Sequence, residues 1–332
     1  MHYIVHIGPH KTGTTYLQHA FTQMRPVLRG RGVSYPEPWG SIHGHHILTD
    51  RLLHGDDEAL RVQFAWLEGD PAIETVLLSS ETLAYLDDGQ VARLRQLLGA
   101  SPATVVFYFR RWSEVVPSNW RQVLQGGAKE TLPGFVAALM ANPLVHPIVN
   151  FALVLDRYAC VFGAENIRVA SYSAVMDSGE DLLVHFCRNF LDWPDPPPNE
   201  IGLVNQSMDM VDCEIMRTLN VLEAIRGGKP GTWLYYLYRD NKAALPIGEI
   251  VERSMQYSVE TLRIDDRTLG QLHGYLAQRY RYAMAPPSAD EMLFEPRTAA
   301  INFVNQEYLL RPGILDLMRH AHLALLALNA SR

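Results

Sequence analysis

Cysteine is scarce in this chain. There are three in 332 residues, Cys160, Cys187 and Cys213. Their spacing is too wide for a disulfide framework or a metal knuckle, and it fits apolar roles in a reducing compartment. No apolar run approaches the roughly 18 residues that span a bilayer. The N-terminus has no basic region leading into an apolar one. Neither a membrane anchor nor a signal peptide is therefore expected, and the expected location is the cytoplasm. Positive charge is also lacking: 29 Lys and Arg stand against 36 Asp and Glu, a net charge of −7. That argues against a general nucleic-acid binder and confines any positive field to a local patch. No H-x-x-x-H or clustered-carboxylate pattern asks for a metal. Internal repeats and low-complexity tracts are missing too. The rest is ordinary: 20% charged and 48% hydrophobic residues, in a length that can bury a full core in one large domain or two.

What is present is concentrated at the start. An apolar run, Tyr3 to Ile7, stops at Gly8-Pro9. Lys11 follows, then Thr12-Gly13-Thr14-Thr15, then a helical pattern through Leu17, Ala20 and Phe21. This reads as a strand, a tight loop and a helix N-terminus. The free N–H groups and dipole of such a helix end attract anions, and Lys11 adds a full charge. A phosphate or sulfate site is expected at Lys11. The plainer reading is a strand–turn–helix with a surface lysine.

Residue order narrows the choice. A Walker A loop places its lysine after the last glycine; here Lys11 precedes Gly13, which argues against an ordinary P-loop triphosphatase. The order P-H-K-T-G-T-T resembles the 5′-phosphosulfate loop of sulfotransferases that use 3′-phosphoadenosine 5′-phosphosulfate (PAPS). His10 stands where that family usually has proline. A second stretch adds to the resemblance. Residues 104–109, T-V-V-F-Y-F, read as a buried strand followed by Arg110-Arg111. The family holds the donor's 3′-phosphate with an arginine at a strand end and a serine eight positions on. Arg110 and Ser118 match that spacing, with Arg111 as substitute if the register slips by one. An arginine fork suits a phosphate because it donates two parallel hydrogen bonds. The resemblance implies PAPS as donor, 3′-phosphoadenosine 5′-phosphate (PAP) as product, no metal requirement, and a soluble bacterial member.

Four apolar runs read as strands: Tyr3–Ile7, Thr75–Ser79, Thr104–Phe109 and Ile167–Ser171. Helical patterns at 14–25, 89–99, 113–125 and 151–162 alternate with them. This predicts an α/β fold in three layers, a mostly parallel sheet with helices on both faces; the resemblance makes it the P-loop-like sulfotransferase fold. Lys11, Glu81, Arg110 and Tyr172 each follow a strand, so all four would share the carboxyl rim where ligands bind. The run from Asp192 to Pro198 breaks the pattern. Beyond it helices are expected at 207–225, 246–262, 265–283 and 313–329. The chain is accordingly divided into a PAPS-binding core, 1–195, and a helical extension, 196–332, packing on the core and covering the acceptor site.

Sulfuryl transfer, like phosphoryl transfer, depends on positioning and charge stabilisation. Lys11 is the cation for the leaving oxygen. Thr14, Thr15 and the backbone N–H groups of 12–15 would hold the 5′-phosphate, and His10 would donate to the sulfonate. An alcohol acceptor needs a general base. Glu81, at the end of V-L-L-S-S-E-T, matches the post-strand position where some family members carry a glutamate; a helix-capping role is the alternative. The rivals are His45 and His46 in H-G-H-H, which titrate near neutrality. Tyr172 sits where the family has a tyrosine near the adenine, although Ser173 replaces the usual following glutamate. R-G-G-K-P-G-T-W, beginning at Arg226, resembles the late loop that wraps the 3′-phosphate but stands far from the C-terminus. Asn205 and Ser207 are further candidates for facing donor or acceptor. Trp39, Trp112, Trp120, Trp233 and Tyr238 would line an acceptor pocket or, more plainly, fill a core. The expected activity is O-sulfation of a carbohydrate or secondary-metabolite hydroxyl, without nucleic-acid or membrane partners and with oligomeric state open. The alternatives are a small-molecule kinase with a degenerate P-loop and an inactive nucleotide-binding protein.

Overall fold

The apolar runs become adjacent strands of a single parallel sheet. The structure, a computed structural model, describes residues 1–37, 43–197, 208–245, 247, 261–265, 298–302 and 306–330. By their contacts these residues form two units. The first comprises Met1–Arg111 and the described residues from Leu144 to the proline-rich break. The second comprises Trp112–Pro143 and the described residues from 208 onward. The helices directly after Arg111 thus group with the C-terminal segments, whereas the division drawn from sequence lies at 195.

In chain order the first unit holds β1 (His2–His6), α1 (Thr14–Gln23), α2 (Arg25–Arg29), β2 (Val33–Ser34), α3 (His46–His54), α4 (Asp57–Glu68), β3 (Thr75–Ser79), α5 (Asp88–Leu97) and β4 (Ala103–Phe109). After α6 (Trp112–Gln125) and α7 (Leu132–Ala141), which belong to the second unit, it resumes with α8 (Ala152–Phe162), β5 (Ile167–Ser171), α9 (Tyr172–Ser178) and α10 (Leu182–Phe190). The sheet order is β2-β3-β1-β4-β5, and all four pairings are parallel.

Alternation of side chains sorts the helices into layers. On one face Ile4, Val106 and Tyr108 bury against Leu17 and Phe21 of α1 and Phe186 of α10. On the other, Tyr3 meets Phe64 of α4 edge-on, and Phe107 and Phe109 both pack on Phe151 at the start of α8. Because both faces are covered, the central strands are apolar throughout, as the sequence runs are. The helix after β1 lies on one face, while α5, after β3, packs with α3, α4 and α8 on the other. The connection changes sides around β1, and in open α/β sheets ligands bind beyond the carboxyl ends of the strands at such a switch point.

Local signals set the helix ends. Asp87 and Gln90 cap each other at the start of α5, and Asp181 accepts from the Leu183 and Val184 N–H groups at the start of α10. Tyr16 also donates to Asp181, which clips α10 to α1. Helix α1 ends at its C-cap, Met24, and α2 starts at once with Pro26 in its first turn, where the missing N–H costs nothing.

The second unit adds α11 (Met210–Ile225), α12 (Thr232–Asn241), β6 (Thr261–Asp265), β7 (Thr298–Asn302), α13 (Gln306–Leu309) and α14 (Pro312–Ala330). Asn220 of α11 donates to the Leu124 and Ala128 carbonyls, both at 2.8 Å, which ties α11 to the end of α6. Trp112, Trp120 and Tyr238 are buried, so they serve as core. The expected helix at 246–262 ends in strand β6 instead, which pairs antiparallel with β7. Most of that expected helix, the one at 265–283, Trp39, Asn205 and Ser207 lie outside the described residues. Among the described residues no helix is long and apolar enough to cross a membrane.

Candidate active site

The loop after β1 carries Lys11 and leads into α1. Its backbone is forced by close neighbours. Gly8 has φ +90°, and a Cβ there would lie 2.8 Å from the Glu81 Cα. Gly13, the residue before α1, has φ +75°, and a Cβ would stand 2.4 Å from Leu182 Cδ2 and 3.1 Å from Tyr172 Cε2. Only glycine satisfies both demands. Lys11 takes φ +70°, a left-handed conformation that non-glycine residues seldom adopt away from functional loops. The Gly8–Pro9 bond is cis. The Thr12 and Thr14 hydroxyls donate to the Pro9 carbonyl at 2.6 and 3.3 Å and close the loop on itself. They are thus shaping groups, which leaves the Lys11 side chain, Thr15 and the backbone N–H groups as the anion donors of this turn. Among the described residues no side chain caps the N-terminus of α1, so its first-turn N–H groups face the loop that carries Lys11.

The neighbouring strand ends converge on this loop. Gly8 accepts from Tyr108 N at 3.1 Å, which sets the loop level with the end of β4. There the two adjacent arginines have different surroundings. Arg110 donates to the Lys11 carbonyl, and its guanidinium lies 5.1 Å from the centre of the Tyr172 ring. Arg111 is buried, its Nη2 donates to Asp177, and its backbone N–H donates to the Ser173 hydroxyl at 3.0 Å. Ser173, where the resemblance implies a glutamate, therefore has a structural role.

On the other side β3 delivers Glu81, whose side chain is 14% exposed. Its Oε1 is 3.9 Å from His10 Nδ1, and its Oε2 accepts from Gln18 Nε2 at 2.9 Å. The His10 ring faces Tyr85. Burial lowers the His10 pKa, with the Glu81 carboxylate opposing that shift. Ser80, not Glu81, caps the following 3₁₀ turn by accepting from Thr82 N. This removes the capping role as the alternative for Glu81. His46 lies close by, its Nδ1 2.8 Å from the Ser80 hydroxyl.

His45 does not belong to the site. It is fully buried, accepts from Ser79 N at 3.1 Å through Nδ1, and places Nε2 3.2 Å from the Pro36 carbonyl. Burial pushes its pKa down to about 4, so the ring is neutral and enclosed and cannot exchange protons with an acceptor. Ser118 is half-buried on α6 in the second unit. Arg226, also in that unit, donates through Nε and Nη2 to Glu223, a buried carboxylate that His322 also approaches at 2.9 Å. The fork expected to hold a phosphate is committed to that pair.

Gln18 escaped the sequence reading because a lone glutamine on an otherwise apolar helix face carries no motif. The signal was its place: buried, one turn after Thr14 on the helix that opens the anion loop. A cavity of about 720 Å³ lies elsewhere in this unit, lined by Arg25, Tyr35 and Trp66 among others, and neither Lys11, Glu81 nor Arg110 lines it. Among the described residues no group of three or more His, Cys, Asp or Glu could hold a metal ion.

No protein-family model and no curated protein matches the chain. A solved structure, a sulfotransferase from Alicyclobacillus acidocaldarius, is similar at 18% identity, over 68% of this chain and 96% of that one, with a TM-score of 0.38.

Proposed function

We propose that this chain transfers a sulfuryl group from PAPS to the hydroxyl of a carbohydrate or other small molecule. The observation that carries the reading is the loop of Gly8 to Thr15. It is a lysine-bearing turn closing on an uncapped helix N-terminus, with Arg110 bonded to its backbone and the Glu81 carboxylate at its flank. Cations and N–H donors gathered there suit a multiply anionic donor and do not suit a neutral one.

Each residue then has a task. The N–H groups of the first turn of α1, with Thr15, hold the 5′-phosphate. Arg110 binds the 3′-phosphate, and Tyr172 beside it offers a ring face to the adenine. Lys11 stabilises the negative charge that grows on the leaving oxygen, so positioning and electrostatics supply the acceleration. Glu81 accepts the proton of the attacking hydroxyl, whose own pKa lies far above neutrality. His46 is the remaining rival for that proton, and His10, within the anion loop, is the loop residue whose ring approaches Glu81.

Thermal denaturation with PAP and with ATP–magnesium tests the donor assignment. PAP should raise the melting temperature and ATP–magnesium should not; the reverse order would favour phosphoryl transfer and end the proposal. Sulfate transfer from PAPS across carbohydrate and phenolic acceptors then tests turnover. PAP binding with no turnover on any acceptor would mark a nucleotide-binding protein without the chemistry.

A further inference from the structure

Gln18 is a polar side chain in a place that makes its contacts costly to lose. It is buried on α1, and a buried amide must find partners within the protein. Its Nε2 reaches two acceptors, the Glu81 Oε2 at 2.9 Å and the Ser79 carbonyl at 3.4 Å. The chain at Gly44 passes directly against it: a Cβ on Gly44 would lie 2.6 Å from both Cδ and Oε1 of the amide. The amide is thus clamped between the end of β3, the backbone at 44 and the Glu81 carboxylate.

We propose that Gln18 is a positioning residue that locks the orientation of Glu81 for proton transfer; this rests on the reading of Glu81 as the base. An N–H group on Oε2 occupies one carboxylate oxygen and stops the group from rotating. The other oxygen, Oε1, is left facing His10 and the Lys11 loop. The same rigid helix that points its N-terminus at the donor then also fixes the base, so the two are held in register by one element. Precision of this kind matters because a misplacement of about 1 Å can cost roughly a hundredfold in rate.

A kinetic double-mutant cycle separates this role from simple packing. Gln18→Met keeps the length and fill of the side chain and removes its donors. We expect it to lower kcat about tenfold or more, with PAP affinity unchanged. In a Glu81→Gln background the same substitution should change kcat less than twofold, since there is no carboxylate left to orient. An equal loss of kcat in both backgrounds, or no loss beside an intact Glu81, overturns the assignment. Should Glu81→Gln itself retain full kcat, the base assignment falls and takes this inference with it. A slow Glu81→Gln enzyme beside a fast Gln18→Met enzyme strikes Gln18 alone. Gly44→Ala supplies a second variant if Gln18→Met does not fold, because the added methyl displaces the amide. It should reproduce the selective loss of kcat, and normal kcat with the methyl in place would also overturn the proposal.

Discussion

Acidification should unfold this protein through two buried neutral histidines at the carboxyl ends of β1 and β3. His6 and His45 are both fully buried, and burial pushes their pKa values down to about 3 and about 4. His6 lies among the rings of Tyr108 and Phe186, with Nδ1 2.9 Å from the Ser79 hydroxyl and Nε2 unpartnered. His45 receives the Ser79 N–H, a bond that a protonated ring cannot accept. Both folded pKa values lie below the unfolded value of about 6.5, so at intermediate pH the unfolded chain binds more protons than the folded one. Their contribution is complete above about pH 6.5 and drains away as pH falls toward 4 and then 3. At pH 5 the gap is about 1.5 pH units for each ring, or about 2 kcal/mol apiece at roughly 1.36 kcal/mol per unit. Together that is a large fraction of a typical stability of about 5–15 kcal/mol. Urea denaturation at pH 8 and pH 5 measures it. Replacing His6 by Gln or His45 by Asn should each reduce the pH-dependent loss by about 2 kcal/mol, whatever the variant's absolute stability. A folded-state ring resonance of either histidine titrating with a midpoint near 6.5, or an undiminished loss in the double variant, would refute the reasoning.

Other expectations concern the loop and the two arginines. Lys11→Ala should lower kcat by about 10²–10³ with a smaller effect on PAP affinity, as seen when one charge-stabilising donor is removed; single-turnover rates and PAP titration separate the two. Arg110→Ala should weaken PAP binding by roughly 1.5–3 kcal/mol and leave stability nearly intact. Arg111→Ala should do the opposite, costing about 2 kcal/mol of stability by leaving Asp177 without its buried partner, with PAP affinity little changed. Calorimetric binding and denaturation run on both variants would expose an exchange of roles. Gly13→Ala should destabilise by at least about 1–2 kcal/mol through its left-handed φ, and more because the methyl meets Leu182; a denaturation midpoint equal to wild type contradicts that geometry.

The regular part of the fold was legible because burial on both faces writes itself as unbroken apolar runs. Thr75–Ser79 and Ile167–Ser171 come out as strands at the expected bounds, and β4 begins one residue early at Ala103. Strand β2, only Val33–Ser34, has no such run, since it sits at the sheet edge. Helices α3 and α4 went unseen because they show only a narrow apolar stripe. Likewise β6 was hidden where two expected helices meet, and β7 falls between the expected helices at 265–283 and 313–329 and was not read as a strand.

Order along the chain singles out Lys11, Glu81, Arg110 and Tyr172 as the residues proposed for the site, since each follows a strand and parallel strands end on one rim. It could not distinguish Arg110 from Arg111, or His45 from His46. One member of each pair, Arg111 and His45, is buried and bonded into the framework while its neighbour is only half-buried, and adjacent residues meet different surroundings only once the backbone is folded. Nor could it reveal the contact of Gln18 with Glu81, which are 63 positions apart in sequence. Local chemistry such as a loop, a charge or a strand end is carried by neighbouring residues and can be read from them. Which side chain is enclosed, and which meets a distant partner, depends on packing across the chain and was decided only in the tertiary structure.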